Sequence, residues 1–90
     1  MDVEFDPTKD AENIRKHGIS LRHAEDFDFD AANFDIDDSQ EYGEVRWNAV
    51  GFLDTRLWSL TFTEVEEGVI RAISLRKATT EESNRYEQRY

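Results

Sequence analysis

Three consecutive segments rich in β-branched and aromatic residues constrain the fold of this chain more than any other feature. They cover residues 45–52, 57–64 and 69–76. Such a composition is typical of β-strands. Only short turns, at Asp54 and at Gly68, separate the segments, and links this short join only antiparallel neighbours. The sequence therefore predicts an antiparallel sheet in its second half.

The alternation of side chains along these segments predicts which residues share a face of the sheet. In the middle segment one face carries Trp58, Leu60 and Phe62. In the last segment a regular strand would place Ile70 and Ala72 opposite Val69, Ile73 and Leu75. Because both faces carry apolar residues, we expect both to be covered at least in part.

The first half of the chain opens with signals for a short strand and a helix. The alternating run Val3-Glu4-Phe5 predicts the strand. Asp6 and Pro7 are typical of a helix start, and Gly18 of a helix end, so a helix is expected over residues 7–17. Its expected apolar face contains Ala11, Ile14 and the aliphatic part of Arg15.

A second helix is predicted to follow immediately, which makes a two-helix hairpin. Ser20 would cap it, and it would run to about Phe29 with an apolar stripe of Leu21, Ala24 and Phe27. Residues 30–44 form an acidic connection with a short strand around Phe34.

Near the C-terminus, Thr79 and Glu82 have the spacing of a capping box for a last helix, in which Tyr86 and Tyr90 lie on one side. The predicted fold class is therefore α+β: an N-terminal strand and helical hairpin, an antiparallel sheet of three to four strands, and a C-terminal helix. With 90 residues the chain is expected to form one domain, residues 1–90.

Charge is distributed unevenly between the two halves of the chain. The net charge is −10, and all of it lies in residues 1–44, which hold 14 acidic and 4 basic residues. Residues 45–90 hold seven acidic and seven basic residues, so their charges cancel. Residues 25–44 alone carry nine acids and no base, which favours a basic partner.

Two absences exclude whole classes of protein. The chain has no cysteine, which excludes disulfides, thiolate metal sites and a cysteine nucleophile. Its apolar runs are only a few residues long, so neither a membrane-spanning helix nor the core of a signal peptide is expected. We therefore expect a soluble cytoplasmic protein that does not bind membranes.

Several short motifs, in order along the chain, resemble those of BrnT-type toxins. They are Phe5-Asp6-Pro7 with Lys9, Asn13, residues 16–20, Glu44 with Arg46, Gly51, Thr63-Glu64, residues 70–79, Glu82 and Tyr86. The resemblance extends from residue 3 to about residue 87.

The resemblance implies a toxin of a type II toxin–antitoxin system with a RelE-like ribonuclease fold. Toxins of that family inhibit translation by cutting RNA, without a metal or other cofactor, and are neutralised by a BrnA-type antitoxin. DNA is then a partner only through the antitoxin, which binds it.

Three positions depart from the family pattern. Val65 and Ser83 occupy places where the family usually has arginine, and Leu75 occupies the place of a usual alanine. Because two of these changes remove cations, an alternative function stays open: a RelE-like protein with little or no nuclease activity that keeps only antitoxin binding. A third reading is an acidic mimic of nucleic acid.

Cleavage of RNA without a metal needs groups that move protons and cations that stabilise the phosphorane. Histidine suits proton transfer because its ordinary pKa is near neutral, and arginine suits phosphate because it donates two parallel hydrogen bonds. The predicted catalytic residues are His17, Glu64, Arg71, Arg76 and Tyr86. The predicted RNA-binding residues are Lys16, Arg46 and Lys77.

Most of these residues also have a structural interpretation. His17 would stabilise the end of a helix beside Gly18, and the other histidine, His23, would be a surface residue. Tyr86 would pack on the sheet. Arg71 would pair with Glu64 across the strands, and a regular strand would direct Arg76 to the opposite face from Arg71.

The acidic stretch contains a partial calcium-loop pattern. Asp26, Asp28 and Asp30 copy the first three ligand positions, but Ala31 replaces the glycine that such a loop needs. A solvated loop, or a docking surface for a basic segment of an antitoxin, explains the stretch better.

Overall fold

The computed structural model describes residues 1–38, 41 and 43–89, so Tyr90 lies outside the described residues. The described part contains five strands, two α-helices and one 3₁₀ helix. In chain order these are β1 (Asp2–Glu4), α1 (Pro7–His17), the 3₁₀ helix (Leu21–Asp26), β2 (Asn33–Ile36), β3 (Trp47–Leu53), β4 (Arg56–Glu66), β5 (Val69–Lys77) and α2 (Thr80–Arg89). The α+β prediction is confirmed.

The strands form one mixed sheet in the order β1-β5-β4-β3-β2. The segments predicted as strands β3, β4 and β5 are antiparallel neighbours, as the short turns require. The prediction of three to four antiparallel strands is wrong in number and in type, because β1 joins the sheet parallel to β5. The backbone N–H of Asp2 donates to the carbonyl of Gly68 at 2.8 Å, which fixes β1 at this edge.

The predicted second helix is a 3₁₀ helix and ends at Asp26 instead of near Phe29. Its stripe is confirmed, since Leu21, Ala24 and Phe27 are all buried. These residues recur every three positions, and a 3₁₀ helix with three residues per turn places them in one row. They pack against the sheet face that carries Leu60.

Helix α1 has the predicted ends, but the face that it packs against the rest of the protein is not the predicted apolar face. Asp6 accepts a hydrogen bond from Thr8 N–H, and Gly18 has a left-handed φ of 72°. The apolar-face prediction is wrong, because Ala11 is exposed and 48% of Ile14 is exposed. The residue that α1 buries is Asn13.

The Asn13 side chain closes an open edge of the sheet. Its Nδ2 donates to the carbonyls of Leu75 and Ile19 at 2.9 Å each, and its Oδ1 accepts from Leu75 N–H at 3.0 Å. β1 covers only the first residues of β5, so the later backbone groups need other partners. The amide of Asn13 provides them and holds α1 beside β5.

A β-bulge in β5 changes which of its residues share a face. Thr61 pairs with Ser74 and Phe62 with Ala72, which leaves Ile73 as an extra residue. One extra residue reverses the alternation that follows it.

The face prediction for this strand is therefore wrong beyond Ala72. Leu75 lies in the core with Ile70 and Ala72 instead of opposite them. The same reversal affects Arg76. Arg76 pairs with Ser59 and Arg71 pairs with Thr63. Because Ser59 and Thr63 share a face of β4, the two arginines lie on the same face of the sheet.

The capping box of α2 is confirmed in both directions. The Glu82 carboxylate accepts from Thr79 N–H at 2.9 Å, and Thr79 Oγ1 accepts from Glu82 N–H at 3.1 Å. None of the described helices is both long and apolar enough to span a membrane.

Candidate active site

A surface depression where α1 and β5 both end collects basic side chains. Its lining residues are Lys16, His17, Arg76, Lys77 and Thr79. We call this depression the basic cleft. Two elements distant in sequence meet here because Asn13 of α1 is bonded to Leu75 of β5.

A second depression continues the basic cleft along α1. It shares Lys16 and His17 and adds Lys9 and Ser74, with Glu12 among its other lining residues. Hydrogen bonds from Lys16 and Arg15 hold the pKa of Glu12 below its ordinary value. The carboxylate is thus ionised and compensates part of the positive charge on this side.

Arg76 is the most firmly held cation of the basic cleft. Its Nη1 and Nη2 donate to the two carboxylate oxygens of Glu82 at 2.8 and 3.0 Å, and Nη1 also donates to the carbonyl of Lys77 at 3.2 Å. The hydrogen bond to Glu82 raises the pKa of Arg76. A guanidinium fixed in this way is a preorganised donor for an anion.

Glu82 connects the basic cleft to the start of α2. Burial opposes ionisation of this carboxyl, but the hydrogen bonds from Arg76 and Thr79 outweigh it and lower the pKa of Glu82 below its ordinary value. The same carboxylate thus caps a helix and orients an arginine.

Replacement of Glu82 by glutamine should lower the free energy of unfolding at pH 7 by about 1 kcal/mol, because charge-assisted hydrogen bonds are lost. The folded-state pKa is depressed, so this contribution is present above the unfolded value and is lost as the pH falls through the folded value. Urea unfolding at neutral and acid pH should therefore show a smaller difference between parent and E82Q in acid. Glu81, an exposed residue of the same turn, supplies the control E81Q, and an equal loss in both variants would contradict this role.

Of the eight predicted site residues, the basic cleft unites four: Lys16, His17, Arg76 and Lys77. Arg71 does not line it. The Arg71 guanidinium donates to Glu4 on β1 at 3.3 Å, and its side chain is 47% exposed. An ion pair of Arg71 was expected with Glu64, but Glu64 lies opposite Ile70 in the register.

Three further predicted residues also lie elsewhere. Glu64 is exposed on β4, and Arg46 pairs with Glu44 at 3.2 Å before β3. Tyr86 is buried, with its ring against Phe52 at a centroid distance of 5.7 Å and its hydroxyl donating to the carbonyl of Ala31 at 3.2 Å. This geometry is the packing role that the sequence left open for Tyr86.

Sequence reasoning missed some residues at the site. Lys9 stands seven residues before Lys16, a spacing of two helical turns that could have placed both on one side of α1. Glu82 was recognised as a cap, but nothing local predicts its bond to Arg76.

The positions that depart from the family pattern do not line the basic cleft. Val65 is exposed on β4. Ser83 lines a different depression, together with Phe52 and Arg56. The basic cleft therefore keeps its cations despite these changes.

The acidic residues of the calcium-like pattern do not converge. Among residues 1–38, 41 and 43–89, no group of three or more Asp, Glu or His side chains is arranged to hold a metal ion. Asp28 Oδ1 instead accepts a hydrogen bond from Ala31 N–H at 3.3 Å.

Comparisons with known proteins identify a family and a fold. The family model described as "Ribonuclease toxin, BrnT, of type II toxin-antitoxin system" matches residues 5–82. The fold is similar to the 1.1 Å crystal structure of the Brucella abortus ribonuclease toxin BrnT, with a TM-score of 0.68 and 24% identity over 89% of this chain and 99% of that one. A search of curated proteins gives no match. At this identity the structural likeness shows the fold alone.

Proposed function

Since the chain belongs to the BrnT family of ribonuclease toxins of type II toxin–antitoxin systems, we propose that it inhibits translation by cutting RNA at the basic cleft. The observation that carries this proposal is the meeting of His17 with Lys16, Arg76 and Lys77 around one open depression. A phosphodiester backbone fits a depression of this charge.

The basic cleft is a local exception in an acidic chain. The net charge of −10 would repel RNA if it were spread evenly. Arg76 and Lys77 come from the half whose charges cancel, and Lys16 and His17 come from the basic last turn of α1. Glu12 and Glu82 pair with Lys16 and Arg76 at the site, and salt screening weakens the effect of the more distant acids on a bound phosphate.

The proposed reaction uses the 2′-hydroxyl of RNA as nucleophile. This hydroxyl loses its proton and attacks the adjacent phosphorus, and the 5′-oxygen leaves with a proton, which gives a 2′,3′-cyclic phosphate and a free 5′-hydroxyl. His17 is the proton-transfer group, because imidazole exchanges protons near neutral pH. Arg76 and Lys77 stabilise the additional negative charge of the phosphorane, so the chain's own cations serve where other nucleases use a metal.

The remaining predicted residues have secondary roles in this proposal. Lys16 holds the phosphate beside His17, and Arg71, on the same sheet face as Arg76, attracts a flanking phosphate. We assign no chemical step to Glu64, Arg46 or Tyr86.

The biological setting is part of the proposal. We propose that the chain acts in the cytoplasm as one RelE-like domain over residues 1–90 and that a BrnA-type antitoxin neutralises it. Membership of a type II toxin family implies a protein antitoxin as partner.

The test is cleavage of single-stranded RNA by the purified chain without added metal. We expect Arg76→Ala to lower the rate by about 10²-fold or more, because a preorganised donor to the transition state is lost. Arg71→Ala should lower it less. Arg89→Ala, a change at an exposed arginine that pairs with Asp35 on β2, away from the basic cleft, is the control. Intact RNA at high protein concentration, or cleavage by both R71A and R76A at the parent's rate, would reject the mechanism.

Growth after induced expression separates this function from a protein that only binds an antitoxin. A nuclease toxin should arrest growth, and R76A should not. A pure binding protein leaves translation running in both cases.

A further inference from the structure

The sheet edge opposite the basic cleft carries an exposed apolar surface. β2 is the last strand of the described sheet, and Phe34 and Ile36 on it are 40% and 58% exposed. Val45, just before β3, is 59% exposed and lines the same depression as Ile36. We call these three residues the β2-edge patch. The patch continues the core to the surface, since the Phe34 ring contacts that of buried Phe62 at 6.3 Å between centroids.

Within residues 1–38, 41 and 43–89, the backbone at this edge has hydrogen-bonding groups that point away from the sheet. Asp37 N–H donates to the carbonyl of Arg46 at 2.7 Å, so the backbone N–H and C=O groups of Asp37 and Asp35 point towards β3. In an antiparallel pair the N–H and C=O groups of the intervening residues point away from the partner strand. Phe34 and Ile36 therefore present N–H and C=O groups to the outside, where the described part of the chain offers no further strand.

The surroundings of the patch are strongly acidic. The depression that contains Ile36 and Val45 is lined by four carboxyl groups against one arginine: Asp37, Asp38, Glu41, Glu44 and Arg46. Asp35 lies on the other face of β2 and pairs with Arg89 at 3.7 Å, so the negative charge beside the patch comes from the carboxyl groups of this depression. The exposed apolar side chains thus lie within a negative field.

This charge decides which partner fits. A second copy of the chain added at the same edge would bring two acidic surfaces together, and like charges at an interface are unfavourable. A basic strand with apolar residues at alternate positions would complete the sheet, cover Ile36 and Val45 and neutralise the carboxylates.

We propose that the β2-edge patch docks a basic, extended segment of the antitoxin, which adds to the sheet as a strand beside β2. This rests on the proposed function only in taking the partner to be an antitoxin. Two strands, β3 and β4, separate β2 from β5, beside which α1 lies, so β2 and β5 are three strand spacings or about 14 Å apart. The docked segment therefore anchors the antitoxin without filling the basic cleft.

The experiment measures binding of a short acetylated peptide of alternating valine and lysine to the full chain, without RNA. We expect binding that weakens with salt, with NMR shift changes concentrated at Phe34, Ile36 and Val45. A peptide of alternating valine and glutamate should not bind. Dispersed shift changes, or equal binding of both peptides, would overturn the proposal.

A matched pair of variants separates docking from general attraction to an acidic protein. Ile36→Glu and Ile14→Glu add the same charge at exposed isoleucines, one in the patch and one on α1. General attraction predicts tighter peptide binding in both. Docking predicts that I36E weakens binding about tenfold or more while I14E does not, since burial of a hot-spot residue is lost only in I36E. Equal behaviour of the two variants would overturn the proposal.

Two further measurements separate this proposal from a dimer interface and from the proposed nuclease activity. Sedimentation of the chain alone should give a monomer, and a dimer that I36E dissociates would assign the edge to a second copy instead. RNA cleavage by I36E should equal that of the parent. An inactive parent would reject the proposed nuclease and leave the peptide result standing, so the two failures are distinguishable.

Discussion

Replacement of His17 by alanine should lower the rate of RNA cleavage by about 10²–10⁴-fold, the usual contribution of a general acid or base. His17 lines the basic cleft and is exposed, so its loss should leave the core intact. The measurement is the initial rate on a fluorescent single-stranded RNA, with thermal unfolding recorded for each variant.

Two controls distinguish catalysis from the helix-end role of His17. His17→Lys keeps a cation in the last turn of α1 but cannot exchange protons near neutral pH as imidazole does, so it should be as inactive as H17A. His23→Ala removes the only other histidine, which does not line the basic cleft, and should cut RNA normally. Recovery of activity in H17K would show that only the charge matters.

Replacement of Asn13 by alanine should lower the free energy of unfolding by about 3 kcal/mol, because it leaves buried backbone groups of Leu75 without partners. The Asn13 side chain is buried and makes three hydrogen bonds, two of them across 62 residues of sequence. A loss of this size is a large part of the stability of a small domain. Urea unfolding followed by circular dichroism measures it.

Asn13→Asp should cost at least as much. Its carboxylate would replace the donor that faces the carbonyls of Ile19 and Leu75, and an ionised group would be buried. Asn84→Ala, a change at an exposed position of α2, should alter stability by less than about 0.5 kcal/mol. If N13A unfolds at the same urea concentration as N84A, the edge of β5 does not depend on this amide.

Local signals explain most of the secondary structure. The ends of α1 follow from Asp6, Pro7 and Gly18, and the start of α2 follows from Thr79 and Glu82. Each signal acts between residues a few positions apart, so it can be recognised from the sequence without knowledge of the fold. For the same reason strands β3 to β5 were found nearly at their observed bounds.

Contacts between distant residues explain the errors. Apolar spacing predicted that α1 buries Ile14, but the open edge of β5 requires an amide, and Asn13 faces inward instead. β1 joins β5 in parallel, a pairing that no short turn could indicate.

The features of the candidate site likewise depend in part on local sequence and in part on contacts between distant residues. The sequence by itself determined which side chains could bind phosphate or move a proton, and it determined the separation of an acidic half from a neutral half, because both depend on residue types alone. Only the tertiary structure decided which of these side chains meet. The bulge at Ile73 turns Arg76 to the face of Arg71, and the bond from Asn13 to Leu75 brings His17 to the end of β5. Register and edge pairing are set by hydrogen bonds between residues far apart in the chain, and for that reason no local pattern contains them.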